Sequence, residues 1–288
     1  MIKKKEIFIA DIALVFVALF WGIGFVAMKE AIKIIPLFYL LAMRFFLSSL
    51  ITALIFRKKI RHITYHDIKS GLIIGIFLFL GFVTQTLGLQ YTTAGKLAFL
   101  TCTYVVIVPF QSWFVQKIFP GMKSFIASAI CLLGMAFLTL QKDLSIGAGD
   151  ILGLICAFFF AGHIVSVEYY AKKKDPIVMT VIQMGFVALF SFFLAIFLEI
   201  FPVKISNIAI LSLLYTVFFC TIFAFLIQNV AQKITPSTHT SIILSLESVF
   251  GALSGIIMIG EKFTLFMFIG SVLILIAVII SKLHVESD

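Results

Sequence analysis

The chain has 288 residues, of which 62% are hydrophobic and only 12% charged, against roughly 45–50% and 25% in soluble domains. A water-soluble core of this length cannot hide so much apolar surface, which excludes a soluble domain and leaves lipid as the solvent. The formal net charge is +9, but the Lys and Arg fall in short clusters between apolar runs, a pattern that orients a membrane protein and argues against a nucleic-acid-binding face.

In chain order, ten apolar runs reach the roughly 20 residues a helix needs to cross a bilayer. They lie at about 8–28, 36–56, 71–90, 95–116, 122–141, 150–170, 176–200, 208–231, 237–259 and 264–282. In hydrocarbon a backbone polar group finds no water, so each run is expected to be a helix. The first run follows Lys3-Lys4-Lys5 as a signal peptide would, but it is too long and no small-residue cleavage site follows, so it is expected to be the first span. The connectors are short and leave no room for a soluble domain. With the N-terminus cytoplasmic, fifteen Lys and Arg flank the inner ends of the runs and six the outer ends. That bias predicts a multi-pass protein of the cell membrane with both termini inside, anchored most strongly by the segment from Arg57 to Lys69. Cys102, Cys131, Cys156 and Cys220 each lie within an apolar run and read as small apolar fillers, with no metal-ligand spacing.

The sequence resembles itself. Asp11 to Trp21 aligns with Asp150 to Phe160 at an offset of 139, placing Ala18 on Ala157 and Phe20 on Phe159. From the third run the offset becomes 143 and holds. Phe82 falls on Phe225, Gln85 on Gln228, Lys96 on His239, Tyr104 on Glu247 and Ser128 on Ser271. A unit of five spans is odd, so two fused copies cross the membrane in opposite senses. The expected fold is therefore an all-α polytopic membrane protein with ten transmembrane helices as two inverted five-helix repeats, at 10–140 and 150–281. Such repeats give two near-equivalent arrangements, one open to each side, and are a transporter architecture.

Three segments carry a family resemblance. Ala18-Leu-Phe-Trp-Gly-Ile-Gly-Phe-Val-Ala27 resembles the opening of EamA-type proteins of the drug/metabolite transporter superfamily. Gly95-Lys-Leu-Ala-Phe-Leu-Thr-Cys-Thr-Tyr-Val-Val-Ile-Val-Pro109 resembles the fourth span of bacterial members, and Gly260-Glu-Lys-Phe-Thr264 the segment after the ninth. The chain departs from the family's pattern at Lys117-Ile-Phe-Pro120, where a Gly-Glu-Arg-like segment is usual, and at Glu247-Ser248, where Glu-Pro is common. The resemblance implies a transporter of amino acids, drugs or other metabolites, often outward, with a central cavity lined mainly by the first, third, fourth, sixth, eighth and ninth spans.

Polar groups inside the runs are the candidate site. Glu247 lies about eleven residues, roughly 16 Å, into the ninth run, where a carboxylate costs on the order of 2.5–3.5 kcal/mol. It faces either a cavity, as a proton-coupling or amine-binding group, or a structural partner on another helix. His163 is midway along the sixth run, suited to proton exchange or else satisfied by a helix neighbour. Arg44 in the second run recognises an anion or pairs with a carboxylate or helix-end carbonyls. Lys96 and His239, as repeat mates, mark two cavity mouths or serve as interfacial anchors. Trp21, Gln85, Tyr104 and Gln228 fall on polar-aromatic stripes that line a pocket or glue helices together. One stripe carries Thr101, Tyr104, Val108 and Gln111, and another Thr240, Glu247, Gly251 and Ser254. Glu168 with Lys172 four residues on reads as a surface pair. The Gly71–Gly75 and Gly251–Gly255 spacings read as close helix packing, and Pro109 as a kink.

No phosphate-binding Gly-x-x-x-x-Gly-Lys-Ser/Thr, His-Glu-x-x-His or Gly-x-Ser-x-Gly pattern occurs, so neither ATP hydrolysis nor enzyme activity is expected. The expected function is secondary transport of a small metabolite, outward, by alternating access and coupled to protons; a channel or a non-transporting receptor is the alternative. No cofactor, metal or nucleic acid is expected. The expected partners are a small-molecule substrate, the lipid bilayer, protons and a second copy in a homodimer.

Overall fold

The computed structural model describes residues 4–139, 147–202, 204–259 and 264–285. Lys3, Lys142, Lys262 and residues 260–263, which entered the charge count and the resemblance, lie outside them. Among the described residues all regular structure is helical. The helices are α1 (Lys4–Ala31), α2 (Leu37–Ile55), α3 (Arg57–Ile60), α4 (Tyr65–Tyr91), α5 (Ala94–Cys102), α6 (Tyr104–Gln116) and α7 (Met122–Thr139). There follow α8 (Ala148–Ala171), α9 (Pro176–Leu198), α10 (Asn207–Val217), a π-helical turn (Phe218–Phe223), α11 (Ala224–Ala231), α12 (Ser237–Leu244), α13 (Glu247–Ile259) and α14 (Leu265–Val285).

Eight stretches are helices long and apolar enough to cross a membrane, and the protein is a multi-pass membrane protein. The other two expected runs differ in form. The run at 122–141 has a shorter apolar stretch, Met122–Phe137, and the run at 237–259 is two helices broken at Ser245 and Leu246. The run at 95–116 is interrupted at Thr103, between α5 and α6, so the interruption lies six residues before Pro109, where a kink was expected. Large apolar side chains point outward along the spans. Leu189 is 66% exposed, Phe197 69% and Ile279 60%, a surface that only lipid would tolerate.

Helix ends are fixed by local chemistry. Thr64 and Asp67 form a reciprocal capping box at the start of α4. The Glu199 carboxylate accepts from the backbone N–H of Phe38 and Tyr39 at 2.9–3.0 Å, capping α2 behind Pro36 from a distant part of the chain. Asp175 caps α9, accepting from Ile177 N at 2.8 Å and from Lys59 Nζ at 2.7 Å.

Glycines set the helix crossings. Gly71 lies against Ile182 and Gly75 against Phe186, the expected close packing, which brings α4 onto α9. A Cβ on Gly22 of α1 would meet the Glu247 carbonyl oxygen at 2.7 Å and Gly251 N at 2.8 Å, so α1 crosses α13 with the backbones nearly touching. Gly134 stands equally close to the Gly270 carbonyl, joining α7 to α14.

The contacts also fix relative direction. The Lys29 ammonium donates to the Thr92 carbonyl at 2.7 Å, so the end of α1 meets the end of α4. Gly149 lies against the Gly88 carbonyl, and Gly81 against Phe160, so α4 and α8 are antiparallel. It follows that α1 and α8 run in opposite senses.

Two outcomes follow from this packing. Gly22→Ala forces α1 off α13 and lowers the thermal unfolding midpoint in detergent, at a cost of about 1–3 kcal/mol; Gly95→Ala, whose Cβ meets nothing within 4 Å, leaves the midpoint unchanged. Burial works to raise the Asp175 carboxyl, but the hydrogen bonds from Lys59 and Ile177 and the Lys59 charge outweigh it and hold it below its ordinary value. Its stabilisation is therefore present at neutral pH and lost as pH falls through the folded value. Asp175→Ala costs about 1 kcal/mol at pH 7 and progressively less in unfolding scans taken to lower pH.

Candidate functional site

Trp21, Arg44, Gln85, Tyr104, His163, Gln228 and Glu247 line one central cavity, together with Phe82, Phe160, Phe225, Thr86 and Cys220. Tyr104, His163, Gln228 and Glu247 are each no more than 3% exposed, so these walls are nearly shut off from bulk solvent. The space open to the centre of a water-sized sphere is about 60 Å³, enough for several waters or a small solute. Lys96 and His239 do not line it.

Glu247 begins α13, immediately after the break. Its Oε1 accepts from the Cys102 thiol at 3.0 Å and lies 3.5 Å from the Tyr104 hydroxyl. Among the described residues no cationic side chain pairs with it. Both breaks bracket this point, Thr103 beside Tyr104 and Ser245–Leu246 beside Glu247. Of the expected stripe from Thr240 to Ser254, Glu247 lines the cavity and the other three residues do not. The stripe through Thr103 is kept across the break and leaves the cavity only further along α6. Thr101 and Tyr104 reach the cavity, while Gln111 turns away and donates to the Phe158 carbonyl at 3.2 Å.

Arg44 is 3% exposed and has no carboxylate partner among the described residues. Its Nε donates to Thr221 Oγ1 at 2.6 Å and one terminal nitrogen to the Cys220 carbonyl at 3.3 Å; the guanidinium stands 4.6 Å from the Phe82 ring centroid. The π-helical turn explains the acceptors. Its i→i+5 pattern displaces the ordinary ladder, and the Cys220 carbonyl takes both Arg44 and the Trp21 indole, the latter at 2.9 Å. Thr221 passes its own proton to the Thr216 carbonyl at 2.7 Å. One irregular turn thus aims two cavity residues.

The amides and the histidine complete the lining. Gln85 donates to Thr101 at 3.4 Å. Gln228 donates to Gln232 at 3.1 Å, while its Oε1 is buried without a protein partner. The His163 Nε2 meets Gln183 Oε1 at 2.9 Å, so this ring has a helix neighbour as well as a cavity face. The cysteines are small and buried as expected, and they also hydrogen bond: Cys131 meets Ser245 at 2.8 Å, Cys156 meets Thr101 at 3.7 Å, and Cys220 donates to the Phe20 carbonyl at 3.2 Å.

Three residues have roles the sequence alone did not show. Lys96 Nζ pairs with Asp150 at 2.8 Å. His239 is 1% exposed and contacts Asp11 at 3.2 Å and Ser281 at 2.8 Å. Glu168 is not a plain surface residue. At 3% exposure it accepts from Lys172, from Gln116 at 2.9 Å and from the backbone of Ser237 at 2.8 Å, joining α8 to α6 and to the start of α12. Asp11 and Asp150 were visible as aligned positions but carried no sign of their partners, which are 228 and 54 residues away along the chain.

A polytopic helical bundle enclosing a mainly apolar cavity, with a few buried polar groups at the level of its broken helices, fits the class of membrane transporters. The chain belongs to the EamA-like transporter family, which it matches over residues 8–140 and 147–283. It is similar to an uncharacterized transporter of Archaeoglobus fulgidus, at 37% identity over 96% of this chain and 86% of that one. It is also similar to the uncharacterized transporter YoaV of Bacillus subtilis, at 25% identity over 91% of this chain and 93% of that one. A solved crystal structure superposes with a TM-score of 0.78 at 14% identity, covering 96% of this chain and 98% of the other, a likeness of fold alone. The protein is a membrane transporter of the drug/metabolite type.

Thr221→Val keeps the shape of the π-turn but leaves Arg44 Nε without its acceptor in a buried site. The expected cost is about 1–3 kcal/mol, read as a lower unfolding midpoint, with Thr221→Ser close to the parent.

Proposed function

We propose that this chain is a secondary transporter that carries a small metabolite, an amino acid, drug or similar solute, outward across the cell membrane by alternating access coupled to protons. One observation carries the reading. A buried carboxylate, Glu247, and a buried guanidinium, Arg44, line the same cavity, and neither has an oppositely charged side-chain partner among the described residues. An isolated charge away from water is expensive, so a site that holds both signs apart suits a solute that brings its own charges. An ammonium and a carboxylate on one small molecule would answer Glu247 and Arg44, with Trp21, Phe82, Phe160 and Phe225 offering an apolar wall and Gln85 and Gln228 neutral hydrogen bonds.

Alternating access rests on two inverted five-helix units, 10–140 and 150–281. Support comes from the opposite senses of α1 and α8, from the matching interruptions at Thr103 and at Ser245–Leu246, and from the meeting of Tyr104 with Glu247. Residues related by a two-fold axis touch only beside that axis, and these two are mates at an offset of 143. The Lys and Arg bias supports cytoplasmic termini. Glu247 is the group suited to the proton, since a carboxylate that is alternately paired with a substrate cation and with H⁺ links the two fluxes.

The test is purified protein in liposomes, loaded with labelled amino acids and other small dipolar metabolites, with and without an imposed pH gradient. The expected result is gradient-driven flux of at least one solute. In Glu247→Gln the response to the gradient falls at least about tenfold, equivalent to ~1.4 kcal/mol of lost coupling, and exchange of a cationic solute at equal pH weakens with it. An unchanged gradient response across pH in Glu247→Gln overturns the coupling, and single-channel currents in place of saturable flux overturn the carrier.

A further inference from the structure

Two contacts between an aspartate and a basic side chain stand toward opposite ends of the helices, and the sequence relates them to each other. Asp11 aligns with Asp150 at the offset of 139, and Lys96 with His239 at 143. The structure pairs them crosswise. Lys96 Nζ meets Asp150 Oδ2 at 2.8 Å, and His239 Nε2 meets Asp11 Oδ1 at 3.2 Å. Each aspartate thus meets a basic side chain from the other half of the chain. The second cluster has two further members: Lys282 Nζ lies 3.2 Å from Asp11 Oδ2, and Ser281 Oγ lies 2.8 Å from His239 Nδ1.

Asp11, Lys96 and Asp150 lie on helices that also build the cavity, α1, α5 and α8, and His239 lies on α12, which leads into Glu247 at the start of α13. Asp11 and Asp150 each lie ten residues before an aromatic cavity residue, Trp21 and Phe160, or roughly 15 Å along α1 and α8. Lys96 is five residues before Thr101, and His239 eight before Glu247, roughly 8 and 12 Å. Because α1 and α8 run in opposite senses, the two clusters are at opposite faces. Asp150 shares its end with Lys29, some 27 Å from Asp11 along α1. The Asp11 end is the one that carries Lys172, Lys173 and Lys174. The four groups of the two contacts are largely withdrawn from water: the side chains of Asp150, Asp11 and His239 are 7%, 12% and 1% exposed, and that of Lys96 22%.

We infer that the Lys96–Asp150 pair and the Asp11–His239–Lys282 cluster are two latches, each closing one mouth of the cavity. Opening toward one face requires α5 to part from α8, and toward the other requires α12 and α14 to part from α1. A pair of this burial makes each parting costly and discrete, which is what a two-state carrier needs at its mouths. The two latches differ in make-up: one aspartate faces a lysine, the other a lysine and an imidazole. The inference rests on the alternating-access reading above, and it assigns the two rest states to named side chains.

The experiment uses the full-length chain with Cys102, Cys131 and Cys156 replaced by alanine, leaving Cys220 in the cavity wall as the sole thiol. Sealed vesicles of either orientation are treated with a membrane-impermeant maleimide, and the labelling rate is measured from each face. Asp150→Asn is expected to raise labelling at least about fivefold from the Lys96 face and not from the other. Asp11→Asn is expected to do the reverse. The double variant Lys96→Asp with Asp150→Lys restores the parental rate and guards against a variant that merely unfolds. Rates that stay at the parental level in both single variants overturn the inference, as does a rise from both faces at once or a failure of the double variant to restore. Side-selective labelling in a protein that shows no flux in liposomes counts against the transport reading and leaves the latches standing.

Discussion

Hydrocarbon offers no hydrogen bonds, and every irregularity in this backbone is answered from inside the protein. The helices are interrupted at Thr103, at Phe218–Phe223 and at Ser245–Leu246, and all three interruptions flank the cavity. Their loosened backbone groups are taken by side chains. Thr103 bonds the Leu100 carbonyl at 2.6 Å, Ser245 the Ile242 carbonyl at 2.6 Å and Ser248 the Ser245 carbonyl at 2.7 Å. At the π-turn the Cys220 carbonyl serves Trp21 and Arg44. Lipid thus confines irregular backbone to the protein interior, and the interior uses it to aim polar groups.

The same constraint sorts the charges. Exposed charges at the helix ends, such as Lys59 with Asp175, are partly screened by water and worth little individually. Those more withdrawn from water include two further kinds. Lys96 with Asp150, and His239 and Lys282 with Asp11, are paired and sit toward the ends of the spans. Glu247 and Arg44 are held by neutral donors and acceptors and face the cavity. In the proposed cycle the paired groups hold the mouths and the unpaired ones meet the solute.

How much of this was legible follows from what each pattern measures. Span positions and lengths come from apolar runs and connectors, which are local, and they match the helices wherever a run is unbroken. Gly71 and Gly75 pack as their spacing suggested, because small residues one turn apart have few other uses in lipid. The polar candidates were found by their cost, since few charges or amides occur within apolar runs; hence Glu247, Arg44, Gln85 and Gln228 all reach one cavity. Gln111 shows the limit. It shares a type and a stripe with residues that line the cavity, yet it lies two turns beyond Tyr104 along α6 and bonds the Phe158 carbonyl instead. Glu168 shows another, since its four-residue spacing to Lys172 concealed a buried junction of three helices.

By itself the sequence determined the solvent, the helical class, the family and the set of costly polar residues, because composition, run length and local motifs are properties of neighbouring residues. Only the tertiary structure decided which of those residues face one another, that Lys96 answers Asp150 and His239 answers Asp11, and that a π-turn presents the Cys220 carbonyl to Arg44. Helical periodicity gives a face relative to the helix's own axis and says nothing of what stands opposite; that is set by glycine-mediated crossings such as Gly22 on Gly251, between residues far apart in the chain.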